Sequence, residues 1–212
     1  MRVVTLVTQK GGTGKSTLST CLAVAAMQAG EQVVAFDLDP QGTLAAWGNI
    51  RQGEAPAVVT VPAERTGELG AVLKAVAGRF SLAVLDTAGV DNEITQSAMK
   101  LGDMCLVPLR PTRPDGLAIK PTVERLLKGG RSFGFVLNQC VTNARSSRAS
   151  EMAAGLASLG LLAEPLIHSR ADYQDAFSAG QGVTEYAPKG QAAEEIRGLW
   201  AWVSRQTKEA GK

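Results

Sequence analysis

A β-branched run, Val3 to Thr8, passes straight into Gln9-Lys10-Gly11-Gly12-Thr13-Gly14-Lys15-Ser16-Thr17, and Leu18, Cys21, Leu22 and Ala25 then recur at helical spacing as far as Gly30. A strand that turns on glycines directly into a helix constrains this chain more than its composition does. The glycines let backbone N–H groups converge on one point, and the helix N-terminus adds partial positive charge there, so the turn is shaped to hold an anion. Lys15 is placed to neutralise β- and γ-phosphates, and the Ser16 hydroxyl to ligate Mg²⁺. The generic phosphate-loop pattern has glycine where this chain has Gln9. The strand before, the helix after and the lysine in place carry the assignment without it.

The remaining sequence alternates short β-branched runs with longer stretches of helical periodicity, the rhythm of repeated βαβ units. It predicts an α/β fold with a mainly parallel twisted sheet of about seven strands flanked by helices. Strands are expected near Val3–Thr8, Val33–Asp37, Val58–Val61, Leu82–Asp86, Met104–Pro108 and Phe133–Leu137, with a seventh near Glu164–Ile167. Helices are expected after the loop and over 65–78, 93–101, 115–128, 147–159 and 190–206. The 45% of hydrophobic residues runs evenly with no linker-like stretch, so residues 1–212 are read as a single domain. Cys21, Cys105 and Cys140 lie far apart in apolar runs, which suits reduced core thiols and a cytoplasmic protein. No export signal and no spanning segment is expected. His168, the single histidine, has no companions at metal-ligand spacing.

Two carboxylate motifs follow the loop. Phe36-Asp37-Leu38-Asp39-Pro40-Gln41-Gly42 puts two acids at the C-terminal end of a strand, the edge where open α/β sheets bind ligands. Leu82-Ala83-Val84-Leu85-Asp86 delivers one acid from an apolar strand, as a Walker B segment does. With Lys10, a second lysine ahead of Gly11-Gly12, these motifs resemble the ParA/MinD family of deviant Walker A ATPases, and the resemblance extends from Met1 to about Arg205. It implies a Mg²⁺-dependent ATPase in which Lys10 reaches across a homodimer to the nucleotide held by the other subunit. It places Asp37 near Mg²⁺ and its waters, beside Ser16 and Asp86, and gives Asp39 the task of orienting the attacking water. Lys10, Lys15 and Asp39 are then the catalytic set, and Gly11 to Thr17 the phosphate cradle. Thr87-Ala88-Gly89 resembles switch II, although the proline many relatives carry there is absent. Pro108, in the segment up to Pro114, is implied to border the adenine and the dimer interface, and Asn138 to contact the base.

Among family members the chain is most similar to small ParA-type positioning ATPases, since no DNA-reading helix-turn-helix precedes the loop. Such proteins bind nonspecific DNA as ATP dimers and are released when an adaptor protein stimulates hydrolysis; the cargo could be a plasmid, a chromosomal origin or a protein assembly. The expected location is cytoplasmic, on the nucleoid when ATP-bound. Residues 110–131 carry six basic and two acidic side chains, and this bias, together with Arg145, Arg148, Arg170 and Lys189, is the expected DNA-binding surface. An ordinary solvated helix face is the competing explanation. A second hypothesis is a MinD-like membrane-associated regulator. Its amphipathic C-terminal stripe would be Ile196, Leu199, Trp200 and Val203, which equally suits core packing. A third is a P-loop ligase or a cluster-bearing iron protein; the latter would need paired cysteines, and Cys21, Cys105 and Cys140 offer no pair, while a synthetase stays open.

Overall fold

The computed structural model describes residues 1–53, 55–142 and 147–209. Seven strands form one sheet in the order β3-β2-β4-β1-β5-β6-β7: β1 (Arg2–Leu6), β2 (Val33–Leu38), β3 (Ala57–Thr60), β4 (Leu82–Thr87), β5 (Met104–Leu109), β6 (Phe133–Leu137) and β7 (Leu161–Leu162). Every strand pair is parallel. β2, β4, β5 and β6 are buried along their whole length, which is why their sequences are apolar throughout rather than alternating.

Helix α1 (Lys15–Gln28) follows the glycine loop and packs against the C-terminal helix α10 (Gln191–Glu209). Ile196, Leu199, Trp200, Trp202 and Val203 of α10 lie in the same core cluster as Leu18, Leu22 and Val24 of α1. The stripe that could have been a membrane face is therefore core. On the other side of the sheet, α3 (Leu69–Val76) and α4 (Glu93–Leu101) cover β2 and β4, while α6 (Lys120–Lys128) and α7 (Arg148–Ala157) cover β5 and β6. No described helix is long and apolar enough to cross a membrane. The three cysteines are buried and free.

Several boundaries differ from the sequence reading for identifiable reasons. The expected helix over 115–128 is two helices, α5 (Arg113–Ala118) and α6, because Pro121 at the start of α6 has no N–H to continue the ladder. The expected seventh strand near Glu164–Ile167 is instead the two-residue β7 at Leu161–Leu162. Pro165 cannot donate, so the later segment keeps only single bonds to β6, from the Ala163 N–H to the Phe135 carbonyl (2.8 Å) and from the Ile167 N–H to the Leu137 carbonyl (2.9 Å). The 65–78 helix begins with a 3-10 turn over Ala63–Glu68. Three short helices escape the periodicity altogether: α2 (Thr43–Ile50), α8 (Ala171–Ser178) and α9 (Val183–Tyr186).

Candidate nucleotide-binding site

β1 is where the chain changes direction in the sheet, with β4 on one side and β5 on the other. The loops after β1, β2 and β4 therefore open at one edge, and Gly11 to Thr17, Asp39 to Gln41, Thr43, Ala88 to Val90 and Asn92 line a cleft of about 770 Å³ there. Gly12 (φ 73°) and Gly14 (φ 88°) take the left-handed backbone the turn demands. Among the described residues, none accepts from the backbone N–H groups of Gly12, Thr13 or Gly14. Free donors at the start of an α-helix are what a phosphate group satisfies.

Lys15, the first residue of α1, is buried, and its Nζ lies 3.5 Å and 3.4 Å from the carbonyls of Thr8 and Lys10, at the outer limit of hydrogen bonding. No described acid forms an ion pair with it. Burial lowers its pKa, with the charges of Asp86 and Asp39 acting in the opposite direction.

Strand register aligns the carboxylates. Asp37 on β2 pairs in register with Asp86 on β4, so two fully buried acids stand abreast. Asp37 is used on both oxygens: it accepts from the Asp39 N–H (3.0 Å) and from the Ala45 N–H (2.7 Å), shaping the turn after β2 and holding the first turn of α2. Asp86 accepts from the Ser19 hydroxyl at 3.1 Å on one oxygen, while the other is buried without a partner. Burial pushes the Asp86 carboxyl up to about 7, with the nearby Asp37 charge adding to the rise and the hydroxyls of Ser16 and Ser19 resisting it. An orphaned, buried carboxylate oxygen close to the Ser16 hydroxyl fits a hard cation. Ser16, Asp86 and Asp37 are the residues that would hold Mg²⁺, directly or through water. When bound, the ion offsets charge on the phosphate oxygens during phosphoryl transfer. Asp39 is half-buried at the cleft wall and free to meet a water there, one of its oxygens accepting from the Gln41 N–H at 3.0 Å.

Switch II presses on the loop. A Cβ on Gly89 would lie 3.1 Å from the Gly11 nitrogen, so a larger residue there would push the loop away by a few tenths of an ångström. Pro108 and Asn138 do not line the cleft. Pro108 is inside β5, in register with Val136. Asn138 donates from Nδ2 to the Thr13 carbonyl at 2.8 Å, and Gln139 donates to the Gly12 carbonyl at 3.1 Å, so the end of β6 braces the glycine loop from behind.

Lys10 makes an ion pair with Asp115, a residue the sequence reading did not single out. Asp115 is fully buried in the first turn of α5 and also takes a two-pronged contact from Arg110, with Nε at 2.8 Å and a terminal nitrogen at 3.1 Å. Burial alone would raise this carboxyl, but Arg110 and Lys10 outweigh it and hold it far below the ordinary aspartate range. The spacing Thr112-Arg113-Pro114-Asp115, a helix-start pattern in which the Thr112 hydroxyl accepts from the Asp115 N–H at 3.3 Å, is the signal that could have found it.

Of the basic residues expected to meet DNA, Arg148 and Lys189 are exposed. Arg170 is held by Glu195 at 2.7 Å, in a cluster with His168 and Tyr173. Arg145 lies outside the described residues. Within 110–131, Arg110 and Arg125 are paired with Asp115 and Asp91, and Lys120 lies 3.9 Å from Glu124, which leaves Arg113, Lys128 and Arg131 without ion pairs among the described residues.

A parallel sheet with a glycine loop after its first strand and carboxylates at the two strand ends beside it defines a P-loop nucleotide-binding protein. The profile of the "CobQ/CobB/MinD/ParA nucleotide binding domain" matches residues 4–183, and the chain belongs to that family. It is a P-loop ATPase of the ParA/MinD type. "Maintenance of carboxysome distribution protein A" of Halothiobacillus neapolitanus is 31% identical over 195 residues, covering 88% of this chain and 89% of that protein. Among solved structures, apo McdA of Cyanothece superposes with a TM-score of 0.77 at 17% identity over the whole of both chains. MinD of Pyrococcus horikoshii, complexed with Mg-ADP, gives 0.74 at 21% identity, covering 100% of this chain and 99% of that one.

Proposed function

We propose that this chain is a small positioning ATPase of the ParA type. It closes into a homodimer on ATP, holds nonspecific DNA of the nucleoid in that state, and is released when a cargo-bound adaptor stimulates hydrolysis. The observation that carries the reading is Lys10. It stands one residue before Gly11-Gly12, yet its ammonium leaves its own loop for Asp115, while Lys15 alone faces its own phosphate site. A lysine that its own cradle does not use is available to a nucleotide in a second subunit. Asp39 then orients the attacking water, and Lys10 of each subunit offsets charge on the phosphates of the other. The similarity to a carboxysome distribution protein over 88% of this chain favours a protein assembly over a plasmid as cargo. The burial of the α10 stripe in the core argues against membrane attachment through that helix.

DNA carriage through Arg113, Lys128, Arg131, Arg148 and Lys189 is tested by fluorescence anisotropy with unrelated duplexes, with and without ATP. Binding only with ATP, weakening about tenfold or more between low and physiological salt as counterions are released, is the expected result. Equal binding in both nucleotide states, or none at low salt, refutes the DNA-carrier reading.

A further inference from the structure

The cluster of Lys10, Asp115 and Arg110 carries more than a spare lysine. Asp115 is a single buried carboxylate with two cations on it. Arg110 occupies one oxygen through Nε (2.8 Å) and its own backbone N–H (3.1 Å), and reaches the other from a terminal nitrogen at 3.1 Å. Lys10 shares that second oxygen. If Lys10 leaves, both oxygens keep a donor and the buried charge keeps a counterion. That is the condition under which an ion pair can exchange partners, because a buried charge left alone is strongly unfavourable. The two cations also repel each other across the shared oxygen, and this repulsion disappears when the lysine departs.

The backbone of Lys10 is fixed by other contacts. Gly89 of switch II packs against the Lys10 carbonyl carbon and the Gly11 nitrogen, and the Lys10 carbonyl accepts a long bond from Lys15. Only the side chain is free to move, and 28% of it is accessible.

From this we infer that Asp115 is a positioning residue that parks Lys10 in the nucleotide-free subunit, and that Arg110 is what lets Lys10 leave when a partner's nucleotide offers a stronger anion. The inference rests on the cross-subunit role of Lys10 proposed above. It sets the sensitivity of dimer closure to ATP: the carboxylate competes with the partner's phosphates for one ammonium, and the guanidinium weakens that competition. Removing the carboxylate charge and removing the guanidinium therefore act in opposite directions, which a merely structural role for either residue would not produce.

Two readouts test it on the full chain. In the nucleotide-free monomer, the acylation rate of Lys10 by an amine-reactive ester, resolved by peptide mass spectrometry, should rise at least threefold in Asp115→Asn and fall in Arg110→Gln. In ATP titrations followed by light scattering, the ATP concentration giving half dimer should drop at least threefold in Asp115→Asn and rise in Arg110→Gln. Circular dichroism confirms that each variant is folded; should Asp115→Asn fail to fold, the two opposite-signed shifts predicted for Arg110→Gln decide alone. An unchanged Lys10 acylation rate, or both variants moving the dimer midpoint the same way, overturns the inference. A wild-type chain that stays monomeric at saturating ATP, while the acylation rates differ as expected, instead overturns the dimer reading and leaves the parked lysine standing.

Discussion

Replacing Lys15 with methionine separates its charge from its volume, and the structure sets opposite signs for the two consequences. Among the described residues, buried Lys15 has no carboxylate at ion-pair distance and is held by just two long bonds to carbonyls, so its charge is poorly compensated in the nucleotide-free chain. Burial disfavours that charge, as the lowered pKa indicates. Lys15→Met should therefore leave the thermal midpoint of the nucleotide-free protein unchanged or raise it. Nucleotide binding should collapse. Two charge-assisted hydrogen bonds to phosphate oxygens are worth about 1.5–3 kcal/mol each, so their loss amounts to about 3–6 kcal/mol. This corresponds to a roughly 10²- to 10⁴-fold weaker dissociation constant. Calorimetric titration of Mg-ATP measures the second effect and scanning calorimetry of the nucleotide-free chain the first. Affinity within tenfold of wild type would refute the placement of the phosphates, and a large drop in the midpoint would show that the lysine is structural.

Asp39→Ala should keep wild-type affinity for Mg-ATP while turnover falls by at least tenfold, because the Asp39 side chain stands at the cleft wall and, among the described residues, accepts only from the Gln41 N–H; a single-turnover assay at the wild-type rate would count against it. Gly14→Ala should destabilise the fold by about 2–5 kcal/mol, from a left-handed backbone on a residue with a Cβ and from loss of the Asn138 bond to Thr13. The added Cβ would lie 2.3 Å from Asn138 Nδ2, so an unchanged urea midpoint would contradict this packing. Glu195→Gln should cost about 1–3 kcal/mol at pH 7, since its carboxylate gathers His168, Arg170 and Tyr173. Burial would raise the Glu195 carboxyl, but Arg170 and His168 lower it further, so its stabilising effect is present above the ordinary value of 4.5 and fades as pH falls through the lowered one. The difference between wild type and variant should shrink in acid, and a constant difference from pH 7 to pH 3 would falsify the assignment.

What could be read directly from the sequence was what a short stretch of chain decides. The strand, glycine loop and helix around Lys15 are contiguous, and an apolar run ending in Asp86 needs no distant partner to be recognised. What escaped depends on contacts between segments. Asp115 gains its meaning from Lys10, more than a hundred positions away, and in isolation is one acid at the start of a short helix. The bond from the Asn138 amide to the Thr13 carbonyl also escaped, because it depends on β6 ending beside the glycine loop. Helix α2 is invisible to periodicity because its first turn is held by Asp37, a residue on the strand before it. The cross-subunit role proposed for Lys10 came from the family resemblance and not from spacing; the structure adds only that its ammonium turns away from its own loop to Asp115.

The charges around the cleft explain why such a site must be completed by its ligand. A chain shaped for stability alone would let Lys15 close on Asp86, since one is buried and uncompensated and the other is buried with an orphaned oxygen. The fold prevents this closure. Lys15 is fixed to the first turn of α1, where it faces the loop carbonyls, and Asp86 is fixed to β4 with Ser19 on one oxygen and Asp37 abreast. Positive and negative halves of the site are thus held apart, each carrying a desolvation penalty that a phosphate and a cation relieve together. The same logic, run in reverse, appears at Lys10. There the fold does supply a carboxylate, but it also supplies Arg110, so the pairing is one the chain can give up. Among the described residues, Lys15 is left without a carboxylate where a phosphate would sit, and Lys10 is lent one it can leave.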